Sequence, residues 1–290
     1  MSRGKKRRHT FGDVIRFIVM MLALGVFLYS GWTLYGFYKE YKKSSDEYDN
    51  LESSYAADDK DGGAEDLDAL EDDDALQSIA GREVKTVIEG GEEISLPTMR
   101  NPIDFDDLLA VNTDIVGWLR IRALDISYPV VQAEDNDFYL HRTFEKTDNF
   151  AGCLFVNCDN SSDLTDENTI VYGHNMKNGS MFGKLKKFNE PETFAISKYF
   201  WIFTPDLIYQ YRIFSASVVS KTGLTYQTAF TDEEFNEFVN RAFQNSVVEN
   251  QDVSVTRDDR IVTLSTCTGD DSTRFVVMGK LVQKYAAINE

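Results

Sequence analysis

Three side chains set the chemical question in this sequence: Cys267, Arg274 and His174. Cys267 ends an aliphatic, β-branched run, residues 261–266 (IVTLST), and a second run, 275–279 (FVVMG), follows a polar connection of Gly, Asp, Ser and Thr. That is the pattern of two strands joined by a loop. Arg274 stands where the second strand begins. A fixed cation near a cysteine favours the thiolate, the nucleophilic form. His174 follows a third apolar run, 169–172, inside IVYGHNM. Gly173 frees the backbone beside it, so the imidazole is expected to project from a strand end. Imidazole moves protons near neutral pH, which the leaving group of a cysteine nucleophile requires. The rival reading of Cys267 is an inert thiol, because free cysteines are commonly buried as small apolar residues.

The other two histidines offer less. His9 lies in a basic tail, and His141 follows Tyr139 and Leu140 in a polar turn, where a surface or satisfied core position accounts for it.

Something must bring a strand-end His to a strand-end Cys. From about Arg82 the chain reads as many short apolar runs: 115–121, 126–131, 152–157, 169–172, 199–203, 208–219 and the two around Cys267. Turn residues separate them, which argues for a β-barrel or sandwich rather than alternating β and α units. A short helix is expected over 102–109 (PIDFDDLL). A clearer one, 232–245 (DEEFNEFVNRAFQN), starts with acids and lines up Phe235, Phe238, Val239, Ala242 and Phe243 on one face.

Charge is unevenly spread in a chain whose net charge is −18. Residues 1–43 carry nine Lys/Arg against two Asp/Glu, and residues 44–80 carry one Lys against fourteen acids. The folded part shows no basic face of the kind nucleic acid needs. Residues 17–37 hold no charge, and 21 residues at about 1.5 Å each span the roughly 30 Å of hydrocarbon in a bilayer. Trp32, Tyr35 and Tyr38 suit an interfacial belt. A cleaved signal peptide has a shorter apolar region and a small-residue cleavage site, whereas bulky aromatics continue here to Tyr38. The expected organisation is therefore a basic cytoplasmic tail (1–16), a transmembrane signal anchor (17–38), an acidic disordered stalk (39–81) and an extracellular folded domain (82–290). The stalk follows from self-repulsion and scarce apolar surface. Its Asp run lacks the Gly and Glu placement of a calcium loop.

Cys153 and Cys158 are read as structural. Five residues of extended strand separate them by about 16 Å, beyond the roughly 7 Å Cα limit of a disulfide. Two thiols with no nearby His also make a poor zinc site, so no metal is expected.

The segment TLSTC (263–267), with Arg274 opening the next strand, resembles the sortase signature. YGHNMKNGSMFGKL (172–185) resembles the class B segment that carries the catalytic His, and YPVVQAEDNDFYL (128–140) resembles the class B segment whose Asn and Leu line the sorting-signal groove. The likeness extends over residues 101–282. It implies a mainly β fold, the sortase β-barrel with peripheral helices, preceded by one N-terminal transmembrane helix. It implies His174, Cys267 and Arg274 as the catalytic three, with Asn136 and Leu140 in the groove. Ser265 and Thr268 would contact the substrate or offer a backbone N–H to the oxyanion, and Tyr226 would form a pocket wall. The connection TGDDST (268–273) is short, which bears on which backbone groups frame the oxyanion.

By that resemblance the expected activity is cleavage of a C-terminal sorting motif at a Thr–X bond through a thioester, with transfer to a cell-wall amine and no cofactor. The expected partners are secreted proteins bearing the sorting signal, peptidoglycan or its lipid-linked precursor, and the membrane. Two alternatives stand beside it: a tethered cysteine protease that uses water, and an anchored peptide-binding module with an inert thiol.

Overall fold

The structure is a computed structural model that describes residues 11–56, 67–71, 81–249 and 252–289 of the 290-residue chain. Two compact units emerge, residues 1–45 and 46–290. The first consists of most of helix α1 (Phe11–Tyr55), which is long and apolar enough to cross a membrane; none of its apolar window is buried by protein. The expected span, 17–38, lies wholly inside it.

Among the described residues the second unit has ten strands: β1 (Val84–Glu89), β2 (Glu92–Arg100), β3 (Ile115–Ile121), β4 (Ile126–Val131), β5 (Leu154–Val156), β6 (Asn168–Tyr172), β7 (Tyr199–Phe203), β8 (Leu207–Ser220), β9 (Ile261–Cys267) and β10 (Thr273–Ile288). Their order is β1-β2-β10-β8-β7-β3-β4-β5-β6-β9, and β9 pairs again with β10. Eight strands thus close into a barrel, and the β1–β2 hairpin extends from it through the parallel pairing of β2 with the end of β10. Closure explains why β8 is buried continuously from Leu207 to Ser217 rather than in alternation: one face fills the barrel and the other is covered.

One cover is helix α5 (Asp232–Gln244), after α2 (Leu67–Leu70), α3 (Phe105–Val111) and α4 (Pro191–Ile196). Thr231 and Glu234 form a capping box at its start, and Asn245 caps its end. Its Phe235, Phe238, Val239 and Ala242 pack on Phe214, Ile261, Val276 and Met278 of the barrel, as the sequence spacing predicts.

The stalk is where the structure corrects the sequence reading. Residues 39–55 continue α1, and Tyr48 and Leu51 are buried against the barrel. The Tyr48 hydroxyl donates to the Gly152 carbonyl at 2.6 Å, and its ring meets Tyr128 edge-on at 5.4 Å. Farther on, Leu67 and Leu70 are buried, Gln210 donates to the Leu70 carbonyl, and the Glu71 carboxylate accepts from Trp201 Nε1 and pairs with Arg122 at 2.7 Å. The acidic average concealed two apolar pairs at i, i+3 spacing, Tyr48/Leu51 and Leu67/Leu70, each able to seat one turn of helix. The rest of the expected stalk, residues 57–66 and 72–80, lies outside the described residues.

Candidate active site

Strands β6, β9 and β10 lie side by side and bring the three candidate residues to one end of the barrel. β6 and β9 are parallel with Tyr172 opposite Ser265. Pairing continues past that point: the Gly173 N–H donates to the Ser265 carbonyl at 3.1 Å, and Thr266 Oγ1 donates to the Gly173 carbonyl at 2.7 Å. His174 and Cys267 each lie two residues past the Tyr172–Ser265 pair, so the register leads both to the same end of the sheet. On the other flank Arg274 is the antiparallel partner of Cys267, and facing Cα atoms in such a pair lie about 4.5–5.5 Å apart. The six residues of β9 before the thiol are all buried, while Cys267 itself is exposed. A buried thiol is therefore not what this position holds.

His174 is half-buried, with Nε2 at 2.7 Å from the Leu140 carbonyl. A carbonyl has no proton to give, so Nε2 carries the hydrogen and Nδ1 is the basic nitrogen. Burial lowers the His174 pKa below its ordinary value; the Leu140 carbonyl works against that shift, and the neighbouring His141 adds to it. His141 is exposed as expected, yet its ring stacks on His174 at a centroid distance of 6.4 Å. Gly173 has a reason other than the backbone freedom read from the sequence, since its φ is not in the left-handed region. A Cβ there would come within 2.6 Å of Phe182 Cδ2 and closer still to Leu154 Cδ2. The strand end can seat His174 only because that side chain is missing.

The Arg274 guanidinium donates to the carbonyls of Thr273 at 2.8 Å and Asp271 at 3.3 Å, which holds it against the short loop after Cys267. Thr268 helps to close that loop: its Oγ1 meets Thr273 Oγ1 at 2.6 Å and accepts from the Asp270 N–H. Its hydroxyl is thus engaged within the loop, and what it presents at the strand end is backbone. Beside the thiol, the buried Ser265 hydroxyl shares a hydrogen bond with Tyr226 at 2.9 Å. Burial raises the Tyr226 pKa, while the Ser265 bond and the charge on Arg274 pull it back. The ring is therefore within electrostatic reach of the candidate cation. Tyr226 also stacks on Tyr172 at 6.2 Å, and Tyr172 accepts from Asn157 Nδ2 at 3.4 Å. Asn136 completes the wall by donating to Asn157 Oδ1 at 3.1 Å and accepting from the Cys158 N–H at 2.9 Å. Leu140 joins through its carbonyl on His174. A continuous chain of contacts thus runs from Asn136 through Asn157, Tyr172 and Tyr226 to Ser265, two residues before the thiol.

A family model for the sortase domain matches residues 119–282. Sortase B of Listeria monocytogenes is 31% identical over 268 residues, which is 91% of this chain and 95% of that protein. The chain belongs to the sortase family. Its relatives place this sortase in class B: sortase B of Staphylococcus aureus is 32% identical over 183 residues, covering 62% of this chain and 75% of that one. The crystal structure of Clostridium perfringens sortase B matches the fold with a TM-score of 0.58 at 32% identity, over 62% of this chain and 100% of the other.

Sequence reasoning about this sortase passed over Tyr172, Asn157 and Asn175. Tyr172 lies two residues before His174, so alternation along the strand end would have singled it out; Asn175 and Asn157 had no such signal. Of the remaining cysteines, Cys153 is buried with its thiol pKa pushed by burial to about 12, and Cys158 is half-buried; both are free. No cluster of three metal-ligating side chains occurs among the described residues.

Proposed function

We propose that this sortase cleaves a C-terminal sorting motif of secreted proteins at a Thr–X bond and transfers the acyl group to a cell-wall amine. His174 Nδ1 takes the Cys267 proton, and the thiolate attacks the threonine carbonyl carbon. The electron pair moves onto the carbonyl oxygen, where Arg274 and the Thr268 N–H stabilise it. Collapse breaks the C–N bond, the imidazolium of His174 protonates the departing amine, and a thioester remains on Cys267. An incoming amine attacks that thioester and gives its proton to His174, which reprotonates the released thiolate. The cycle needs no cofactor. Asn136, Leu140, Tyr226 and Ser265 hold the motif, which class B likeness suggests is of the NPxTx type.

The observation that supports this reading is the exposed Cys267 with Arg274 opposite it on β10 and the β6 register, Tyr172 beside Ser265, leading His174 toward its other flank. We assign residues 1–16 to the cytoplasm and 17–38 to the membrane, with the enzyme outside, because Arg3, Lys5, Lys6, Arg7 and Arg8 precede the span. Peptidoglycan or its lipid-linked precursor then meets the thioester at the outer face. The test is product mass. The full chain in detergent micelles is given NPxTx and LPxTG peptide libraries with an oligoglycine amine, and an amine-extended product is expected. A product ending only in a free carboxylate would make the enzyme a tethered protease. No cleavage, with peptide failing to slow iodoacetamide labelling of Cys267, would remove the enzymatic reading.

A further inference from the structure

Asn175 lies one residue beyond His174, and its side-chain Nδ2 donates to the main-chain carbonyl of Cys267 at 2.7 Å. Nothing in the reaction as drawn requires that bond. Its direction matters because β9 has β6 on one flank and β10 on the other. Asn175 follows β6, so the Cys267 carbonyl is turned to the β6 flank. The Ser265 carbonyl, two residues earlier, is turned the same way and accepts from Gly173, as the period of two in a strand demands. The chain contains no cis peptide among the described residues. In a planar trans peptide the C=O and the following N–H point in opposite directions. With the Cys267 carbonyl on the β6 flank, the Thr268 N–H faces the β10 flank, where Arg274 stands opposite Cys267.

We infer that Asn175 is a positioning residue whose carboxamide sets the Cys267–Thr268 peptide plane, so that the Thr268 N–H and Arg274 converge on the oxyanion. This rests on the sortase reaction proposed above. β9 ends at Cys267, so past that point the ladder no longer fixes the plane, and a side-chain donor takes over. Asn175 is well placed for the task. Its backbone forms a bridge with Met181, and the carbonyl of His174 accepts from the Phe182 N–H at 3.0 Å, so the amide is presented from a braced turn. A hydrogen bond to a carbonyl also polarises its peptide unit and strengthens the N–H at the other end.

The test compares amide cleavage with thiol alkylation in the full chain, for wild type, Asn175→Ala and Asn175→Asp. Alkylation by iodoacetamide builds no oxyanion, so it reports on the thiol alone. For Asn175→Ala, kcat on the sorting peptide should fall about tenfold, KM should move less than about twofold, and Cys267 alkylation and Tm should hold. Asn175→Asp puts a carboxylate against the Cys267 carbonyl and should be slower still at its own pH optimum. Unchanged kcat in Asn175→Ala overturns the inference. So does a loss shared equally by alkylation, which would mean that Asn175 acts on the thiol, or a loss that follows a fall in Tm, which would make it merely structural. A wild-type chain that is alkylated at Cys267 but cleaves no sorting peptide overturns the proposed reaction and this inference with it.

Discussion

Replacing Gly173 by Ala tests whether the seat of His174 depends on a missing side chain. A Cβ at that position lies 2.6 Å from Phe182 Cδ2, while carbon atoms in contact sit about 3.5–4.0 Å apart, so the ring or the strand end must move by about 1 Å. Leu154 closes off the other direction. Overpacking of this kind costs about 1–3 kcal/mol, and replacing glycine returns about 0.4–1 kcal/mol through the unfolded chain, which leaves about 1–2 kcal/mol. For a folded unit of this size each kcal/mol lowers Tm by about 2–4 °C, so the expected fall is about 2–8 °C. Activity should suffer more than stability, because a shift of about 1 Å in a catalytic group is worth about a hundredfold in rate. The assay is a thermal melt of the full chain followed by circular dichroism, paired with kcat on the sorting peptide. A Tm unchanged within measurement error together with wild-type kcat would show that the strand end has room for a methyl group and refute the packing argument.

Three further outcomes are expected. Arg274→Lys keeps the charge but loses the planar fork and should lower kcat by about 10²–10³ with a smaller change in KM; near-wild-type turnover would mean that Arg274 supplies only general positive potential. A chain beginning at Arg82 lacks Tyr48, Leu51, Leu67, Leu70 and Glu71, which are packed on the barrel, and should melt at least about 10 °C below one beginning at Asp46; equal melting temperatures would restore the idea of a passive tether. By NMR, His174 should titrate below 6.5, and His141→Gln should move its midpoint upward by removing a neighbouring charge. Because the unfolded chain binds that proton more readily than the folded one, stability should rise with pH between the folded and unfolded His174 midpoints and fall as the solution is acidified through that window. A midpoint at or above 6.5 would contradict the burial argument.

The strands of the barrel were legible because their apolar runs are short and bounded by turn residues. Helix α5 was legible because its cap and its face agree. The hairpin β1–β2 was not, since Val84 and Ile88 point outward, and it is held through a buried Glu89 that pairs with Arg260 and Lys284, a long-range contact with no local mark. The candidate site divided in the same way. Cys267, Arg274 and His174 could be singled out because each lies at or within two residues of a strand terminus and carries reactive chemistry. That they meet depends on the β6–β9 register, which local pattern does not contain. Thr268 illustrates the limit: it directly follows Cys267, but the short loop uses its hydroxyl to hold Thr273, a choice set by loop length. The stalk failed because an average over thirty-seven residues hides two pairs of apolar side chains that happen to share a helix face.

Closure of the barrel carries a consequence for the life of the chain before it is folded. Gly173 and Thr266, which bond to each other beside the site, are 93 residues apart, and a loop of that length is entropically costly to draw shut. The lane holding the imidazole and the lane holding the sulfur therefore come together late, in the same event that seals the sheet. A newly made polypeptide would carry its thiol from the start and have no catalysis until the last strands pair. Latency during biogenesis, which many proteolytic enzymes obtain from a removable segment, follows here from the order in which a sheet can close.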